Sequence, residues 1–226
     1  MLAHSWALWQ AKPARASAPN AEVGGLVGVI LAGGQSSRMG QEKARVQLAG
    51  RTLIEWVSAA LKTVCSQLLV VGGSAELADL AVAVPVADAV GGAGPLDGLV
   101  AALRAAQHDI LVVACDMPFL QPALLQGLIS SAAPQADAVV PLKDGLYEPL
   151  VAVYRFSCLR HFEEALSRGV YKVVEAYRGL CVQPVPEACW RSWDPGGLSF
   201  FNINRPLDLV RAEELVAKGE VWPTRL

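Results

Sequence analysis

The sequence contains no long uninterrupted apolar run. Its apolar stretches, such as residues 110–114, have the length of a β-strand, whereas a transmembrane helix needs about 18 consecutive apolar residues. Residues 1–24 also lack the basic segment and apolar core of a cleaved signal peptide. We therefore expect a cytoplasmic protein with no membrane contact, in which residues 1–24 form a flexible N-terminal extension.

Charge is scarce as well. Charged residues make up 18% of the 226 residues, and the formal net charge is −2. A general nucleic-acid-binding protein needs a broad basic surface, because release of counterions from phosphates supplies much of its affinity. The sequence thus predicts no nucleic-acid partner. The 53% of hydrophobic residues is instead enough for a sizeable core, and we expect a single domain over residues 25–226.

The patterns of a disulfide framework and of a structural zinc site are missing too. The five cysteines form no C-x-x-C pair, and the three histidines show no zinc-ligand spacing among themselves or with cysteine. We interpret the cysteines as free thiols in a reducing compartment, buried as small hydrophobic side chains.

Short apolar runs alternate with segments of helical periodicity. In residues 52–65 the apolar side chains recur at i, i+3, i+4, i+7, i+8 and i+11, which predicts an amphipathic helix. Strands are predicted at 26–31, 67–71, 83–86, 109–114, 138–141 and, as an extended run, 149–154. This alternation predicts an α/β fold with three layers, a Rossmann-like, mostly parallel sheet with helices on both faces. The Pro- and Trp-rich residues 184–195 are predicted to form a long loop.

The strongest functional pattern is the segment L-A-G-G-Q-S-S-R-M-G-Q-E-K at residues 31–43, directly after the first predicted strand. Gly33 and Gly34 remove side chains where a backbone must approach phosphate oxygens. The backbone N–H groups and the hydroxyls of Ser36 and Ser37 offer hydrogen-bond donors to an anion. The segment therefore predicts a phosphate-binding loop at the carboxyl end of the sheet.

Two cations of this segment, Arg38 and Lys43, supply full positive charge. One cation about 4 Å from one phosphate charge contributes roughly 4 kcal/mol at an effective dielectric constant near 20, before desolvation is subtracted. A nucleoside triphosphate therefore needs several such donors together with a metal ion. Neither the dinucleotide-binding nor the Walker pattern is present.

The segment resembles the L-A-G-G-x-S-x-R-M-G-x-D-K signature of the MobA-type molybdenum cofactor guanylyltransferases, members of the nucleotidyltransferase superfamily. The similarity extends from about residue 27 to residue 217. Further matches are G-P-L-D-G-L at 94–99, C-D-M-P-F-L at 115–120, E-P-L at 148–150 and F-N-I-N-R-P at 201–206. The resemblance implies a sheet of the nucleotide-diphospho-sugar transferase type.

The resemblance also implies roles for individual residues in binding GTP. Leu31, Ala32 and Gly33 would contact the nucleotide by their backbone, and Lys43 would bind its phosphates. Asp116 would bind both the nucleotide and Mg²⁺. Elementary chemistry agrees for Asp116, because it follows an apolar strand at the sheet edge where ligands bind, and Mg²⁺ prefers carboxylate and phosphate oxygens. The alternative is that Asp116 caps the next helix.

Other residues match the family less closely. Asp88 matches an aspartate associated with the base or ribose of the nucleotide. Asn202 and Asn204 lie two apart in an extended segment, so both face the same side of the chain. By resemblance they lie near molybdopterin, and one of them would complete the metal shell; the alternative is that they bond turn backbone before the following helix. Weaker candidates for holding the pterin or its phosphate are Tyr154, Arg155 and Lys172.

The chain departs from the family pattern at several positions. Residues 72–74 stand where the family often has an asparagine, Glu42 replaces an aspartate, and Asp97 replaces a commoner alanine. The choice of base depends on side chains around residues 72–75 and on Asp88. A cytidylyltransferase acting on molybdopterin, or an enzyme for another small phosphorylated acceptor, is therefore an alternative.

The implied reaction transfers GMP from GTP to molybdopterin, in its free or molybdenum-loaded form, with Mg²⁺ as the cofactor. Its products are the guanine dinucleotide of molybdopterin and pyrophosphate. We also expect transient contact with proteins that insert or transfer the molybdenum cofactor. A non-catalytic nucleotide-binding regulatory module is the alternative from another class, and the presence of Asp116 argues against it.

Overall fold

The centre of the fold is one twisted β-sheet. The computed structural model describes residues 26–33, 43–89 and 94–221; the predicted extension at residues 1–24 lies outside these ranges. The strands are β1 (Val27–Leu31), β2 (Gln47–Leu48), β3 (Arg51–Thr52), β4 (Gln67–Val71), β5 (Val84–Val86), β6 (Ile110–Ala114), β7 (Ala138–Lys143), β8 (Leu146–Tyr147), β9 (Val151–Tyr154) and β10 (Val182–Val185). The helices are α1 (Leu53–Leu61), α2 (Ala75–Ala81), α3 (Pro95–Ala106), α4 (Pro122–Ser130), α5 (Cys158–Ser167), α6 (Glu187–Trp190) and α7 (Pro206–Ala217).

The sheet is mostly parallel. Within the described residues its order is β10-β7-β9-β6-β1-β4-β5. β8 pairs with the last two residues of β7, Leu142 and Lys143. β1 runs parallel to both β4 and β6, and β4 runs parallel to β5. β9 is antiparallel to its neighbours β6 and β7. All five residues of β1 and of β6 are buried, which explains why these strands read as continuous apolar runs.

Helices cover both faces of the sheet. Alternate strand residues point into two hydrophobic clusters, so that Ile30 lies in one cluster and Val29 in the other. The first cluster contains buried side chains of α1, α2 and α4, and the second contains those of α3 and α5. The predicted three-layer α/β fold is confirmed. No helix within the described ranges is both long and apolar enough to cross a membrane.

The prediction of a long loop at residues 184–195 is wrong. β10 occupies Val182–Val185 and pairs with β7, and α6 follows at Glu187–Trp190. β10 is an edge strand and contains Pro184, which is tolerated there because an edge strand has one side without ladder hydrogen bonds. The Trp190 side chain is buried, and its Nε1–H donates to the Leu142 carbonyl oxygen at 2.7 Å.

Two further predictions need correction. The first helix ends at Leu61 rather than at residue 65, and the hairpin of β2 and β3 before it was not predicted. Its turn residues, Ala49 and Gly50, both have positive φ, as in the type I′ turns that favour Asn-Gly rather than Ala-Gly.

The expectation that every cysteine is buried is also wrong, because Cys181 is exposed and Cys189 is half-buried.

Candidate active site

A cavity of about 360 Å³ opens at the carboxyl ends of β1, β4 and β6. Its size lies within the roughly 300–1,000 Å³ usual for small-molecule sites. Parallel strands end at the same edge of a sheet, and ligands of open α/β folds bind there. The cavity wall includes residues that the sequence predicted for the nucleotide, namely Leu31, Ala32, Gly33, Lys43, Asp88, Asp116 and Asn202. Gly34, Ser36, Ser37 and Arg38 lie outside the described residues.

Strand register brings the beginning of the phosphate loop next to the segment that carries Asp116. Leu31 is in register with Ala114 of β6 and with Val71 of β4. The N–H of Ala32 donates to the Val71 carbonyl oxygen at 2.9 Å, and the N–H of Cys115 donates to the Leu31 carbonyl oxygen at 3.1 Å. The backbone after β1 and the backbone after β6 therefore leave the sheet side by side.

Glycines permit close packing at the start of this loop. Gly72 has a φ of +73°, and a β-carbon built on it would lie only 2.7 Å from the Cα of Gly33. The same β-carbon would lie 2.9 Å from Oδ1 of Asp88. A side chain at residue 72 would therefore collide with both the loop backbone and the Asp88 carboxylate.

Asp88 lies in an environment that disfavours its charge. Burial raises the pKa of the Asp88 carboxyl, and the nearby Asp97 carboxylate raises it further. Asp97 is fully buried in the first turn of α3. The cavity wall near Gly33 and Gly72 thus carries a carboxyl group whose charged form is disfavoured.

A cluster of polar side chains at Lys43 joins a cation to two side-chain oxygens. The Lys43 ammonium donates to Oδ2 of Asp116 at 3.0 Å and to Oδ1 of Asn204 at 2.5 Å. The side chains of Lys43 and Asp116 are 25% and 17% exposed, so water only partly screens their attraction. Lys43 begins a short 3₁₀ turn that is anchored by the fully buried Ala44.

The backbone of Asp116 holds the asparagine segment in place. The Asp116 carbonyl oxygen accepts a hydrogen bond from the N–H of Ile203 at 2.9 Å, and Ile203 is fully buried. Asn202 and Asn204 flank this anchored residue. Asn202 lines the cavity, whereas Asn204 contacts the Lys43 ammonium. Both asparagines therefore lie at the same site as Asp116.

The structure contradicts the capping interpretation of Asp116, whereas Asn202 does bond turn backbone, because its Nδ2–H donates to the Phe200 carbonyl oxygen at 3.4 Å. The N-cap of α4 is Gln121, several residues after Asp116, and its N–H donates to the hydroxyl of Ser199 at 2.9 Å. At the start of α7, Oδ2 of Asp208 accepts from the N–H of Asn204 at 3.0 Å and from that of Arg205 at 2.8 Å. The side chains of Asp116 and Asn204 thus remain directed to Lys43.

Two of the residues predicted to hold the pterin are not part of the cavity wall, and that prediction is wrong for them. β9 runs antiparallel to β6, so Tyr154 pairs with Ile110 at the opposite end of the sheet from Asp116. Tyr154 is fully buried, and Arg155 donates to the Ala133 carbonyl oxygen at 3.0 Å.

The third weaker candidate, Lys172, is exposed and pairs with Glu175 at 3.0 Å. Its role in binding the pterin stays a prediction.

Sequence reasoning assigned no role to several residues of the cavity wall. Leu150, just before β9, lines the cavity, and its carbonyl oxygen accepts from the N–H of Ala114 at 3.0 Å. Gly98 of α3 also lines it, and a β-carbon there would lie 3.1 Å from a Leu31 methyl group. Both residues belong to the matched segments 94–99 and 148–150. Recognising β9 as antiparallel would have located Leu150, since its start must lie beside the end of β6.

The oxygen ligands available at this site suit one type of metal. In the described residues there is no group of three or more His, Cys, Asp or Glu side chains that would hold a metal ion. Asp116 offers a single carboxylate beside the amide oxygens of asparagines. Mg²⁺ is commonly held by one or two carboxylates together with substrate phosphates and water, so the residues present fit a Mg²⁺ ion that is shared with a nucleotide.

The fold and the cavity define an α/β protein with a cavity for a small-molecule ligand at the carboxyl edge of its sheet. The family model described as the MobA-like NTP transferase domain matches residues 28–180. The chain belongs to this family of nucleotidyltransferases.

Named relatives cover nearly the whole domain. The chain is 39% identical over 199 residues to a probable molybdenum cofactor guanylyltransferase of Pelotomaculum thermopropionicum, covering 86% of this chain and 97% of the relative. It is 37% identical to a molybdenum cofactor guanylyltransferase of Desulfosudis oleivorans, covering 87% and 98%. The crystal structure of molybdopterin-guanine dinucleotide biosynthesis protein A from Archaeoglobus fulgidus has a TM-score of 0.75 and 35% identity, covering 85% of this chain and 99% of that chain.

Proposed function

We propose that this protein transfers GMP from GTP to molybdopterin in its molybdenum-loaded form and releases pyrophosphate. The observation that carries the proposal is the contact of Lys43 with Asp116 and Asn204 at the carboxyl edge of the sheet. A cation and a metal-binding carboxylate are the two groups that transfer from a nucleoside triphosphate requires. Relatives named molybdenum cofactor guanylyltransferase, matched over most of the chain, support the choice of GTP and molybdopterin.

The residues of the cavity take distinct roles in this reaction. The backbone of residues 31–33 borders the nucleotide, and Asp88 accepts hydrogen bonds from its base or ribose. Lys43 binds the phosphates, aided by Arg38 and the donors of Gly34, Ser36 and Ser37. Asp116 holds Mg²⁺, which when bound neutralises phosphate charge and orients the α-phosphate.

The chemistry requires alignment rather than a nucleophilic side chain. An oxygen of the terminal phosphate of molybdopterin forms a bond to the α-phosphorus of GTP, and the bond from that phosphorus to the bridging oxygen of the β-phosphate breaks. The electron pair leaves with pyrophosphate. The attacking phosphate is already an anion, so a general base is unnecessary, and catalysis comes from positioning and charge stabilisation. Asn202, which lines the cavity together with Asp116, is the residue that we propose contacts this acceptor.

The experiment that tests the proposal measures pyrophosphate release from GTP, CTP, ATP and UTP with Mg²⁺. Each nucleotide is tested with and without molybdenum-loaded molybdopterin, and with metal-free molybdopterin as a matched acceptor. Release that requires both GTP and an acceptor supports the proposal. Release with CTP in place of GTP would reassign the base, and inactivity with all four nucleotides would contradict transfer to this acceptor.

The place of the reaction follows from its substrates. We propose that it occurs in the cytoplasm and that the product passes to proteins that insert or transfer the molybdenum cofactor. Co-purification of such a protein with the tagged enzyme tests this transfer, and its absence from cells that contain both proteins would count against direct contact.

A further inference from the structure

The Lys43 ammonium occupies the immediate surroundings of the carboxylate that the proposed function assigns to Mg²⁺. It lies 3.0 Å from Oδ2 of Asp116 and also contacts Oδ1 of Asn204. Both oxygens are among those that the described residues offer to a cation at this point of the site. Lys43 therefore uses the same oxygens that a divalent cation would need.

Simultaneous contact by both cations is unfavourable. Mg²⁺ binds oxygen at about 2.0–2.1 Å and demands a nearly octahedral set of ligands. An ammonium group on the same carboxylate would repel the ion at short range, and the partial burial of Lys43 and Asp116 limits screening by water. The metal must therefore displace the ammonium or bind weakly.

The structure also gives Lys43 a fixed backbone and a movable side chain. Its carbonyl oxygen accepts from the N–H of Val46 at 3.0 Å, and Ala44 and Val46 are buried. The side chain itself lines the cavity. A lysine stem has four rotatable bonds, so its ammonium is able to move to a phosphate without displacement of the turn.

We infer that Lys43 competes with the divalent cation for Asp116, so that metal binds weakly to the protein alone and tightly when a triphosphate engages the ammonium. This inference rests on the proposed function, because it takes the triphosphate and the metal from that reaction. It makes the binding of metal and the binding of nucleotide thermodynamically coupled, with Lys43 as the coupling residue. The enzyme would thus take up its metal together with the nucleotide.

The competition is tested by binding of Mn²⁺ alone, followed by electron paramagnetic resonance on the full-length protein. In Lys43→Met, which keeps an unbranched apolar side chain as far as Cε and removes the ammonium group, we expect the Kd for Mn²⁺ to fall at least tenfold. In the double variant Lys43→Met/Asp116→Asn this gain should disappear, which locates the ion at Asp116. Lys62→Met, at an exposed lysine after α1, is the matched control and should leave the Kd unchanged.

A merely structural ion pair predicts the opposite result. If Lys43 only holds the loop in place, its removal loosens the site, and Mn²⁺ binds no tighter than to the unaltered protein. That result in a folded Lys43→Met variant would overturn the inference. Lys43→Gln gives a second, neutral replacement if Lys43→Met fails to fold, and the same tenfold gain is expected.

The outcome is separable from the fate of the proposed function. Pyrophosphate release from GTP by the unaltered protein tests the function and does not depend on the Mn²⁺ experiment. Normal pyrophosphate release by the unaltered protein, together with an unchanged Kd for Mn²⁺ in both Lys43 variants, would contradict the competition and still support the proposed reaction. Tighter Mn²⁺ binding by the Lys43 variants, together with no pyrophosphate release by the unaltered protein from GTP and molybdopterin, would support the competition. The same result would contradict the proposed acceptor or nucleotide.

Discussion

Lys43 and Asp116 are 73 residues apart in the chain, and yet Nζ of the first lies 3.0 Å from Oδ2 of the second. Lys43 lies 12 residues after the end of β1, and Asp116 closely follows β6, the parallel neighbour of β1. The parallel pairing of these two strands brings their carboxyl ends to the same edge of the sheet. The contact joins the expected phosphate-binding cation to the expected metal-binding carboxylate.

Removal of either side chain should abolish most of the turnover. We expect Lys43→Ala and Asp116→Ala each to lower kcat for pyrophosphate release at least a hundredfold, a loss of about 2.7 kcal/mol of transition-state stabilisation. Lys62→Ala and Asp79→Asn, at exposed positions outside the cavity wall, are matched controls. Near-normal kcat in either folded site variant would remove that residue from the catalytic machinery.

The close approach of Gly72 to Gly33 and Asp88 should make residue 72 intolerant of any side chain. Gly72→Ala would place a β-carbon 2.7 Å from the Gly33 Cα, and we expect a loss of about 2–4 kcal/mol in the free energy of unfolding. The KM for GTP should rise because the start of the loop is displaced.

The control for this substitution is Gly169→Ala. Gly169 has a nearly equal φ of +77°, but a β-carbon there meets no atom within 4 Å. Gly169→Ala should lower the free energy of unfolding by only about 1–2 kcal/mol, which is the cost of a left-handed backbone conformation for a residue with a β-carbon. The KM for GTP should be unchanged. Urea denaturation of both variants makes the comparison, and equal losses would show that the contact with Gly33 is unimportant.

Tyr154 should matter for stability and not for binding of the acceptor. Its hydroxyl donates to the Pro149 carbonyl oxygen at 2.8 Å and shares a buried hydrogen bond of 2.7 Å with the Tyr177 hydroxyl. Tyr154→Phe removes both bonds, and we expect the free energy of unfolding to fall by about 1–3 kcal/mol. Tyr171→Phe, at a half-exposed ring, should change it little. A large rise in the KM for molybdopterin with unchanged stability would instead restore Tyr154 as a binding residue.

Buried thiols should make the protein less stable at alkaline pH. Burial raises the pKa of both Cys65 and Cys158 to about 12, whereas an unfolded cysteine has a pKa near 8.5. The folded state retains protons that the unfolded state loses. The contribution of these thiols is therefore complete below about pH 8.5 and decreases as pH rises toward 12, by up to about 1.4 kcal/mol per pH unit for each thiol.

Urea denaturation at a series of pH values tests this dependence. Cys65→Ala should reduce the alkaline slope of the free energy of unfolding, whereas Cys181→Ala, at an exposed position, should preserve it. A slope unaffected by the loss of Cys65 would show that other groups control alkaline unfolding.

The predictable parts of the fold are the segments whose local pattern of apolar residues fits only one type of secondary structure. β1, β4 and β6 are apolar runs because both of their faces are buried. Ligands of open α/β folds bind at the carboxyl ends of such strands, and Asp116 closely follows β6, so its place at the site was predictable. β10 and α6 were missed, since an edge strand that contains proline has the composition of a loop. The direction of β9 is likewise absent from its own sequence, so the sequence could not show that Tyr154, a candidate for holding the pterin, pairs with the start of β6.

The site itself was only partly predictable. The resemblance brought Lys43, Asp116 and Asn204 forward as separate candidates, but their direct contact depends on the hydrogen bond from Ile203 to Asp116, which joins segments that are distant in the chain. The packing of Gly72 against Gly33 also depends on strand register. Local sequence shows the glycines but not which backbone each of them approaches.

Following the α-phosphate of GTP shows directly whether this protein transfers GMP to molybdopterin. The purified protein is incubated with Mg²⁺, molybdenum-loaded molybdopterin and GTP radiolabelled at its α-phosphate, and the products are separated by chromatography. We expect the label to move into a dinucleotide of molybdopterin, one label for each pyrophosphate released, and we expect this transfer to be lost in Asp116→Ala. Label that remains in GTP, or that appears only in GDP or GMP, would contradict the assigned reaction.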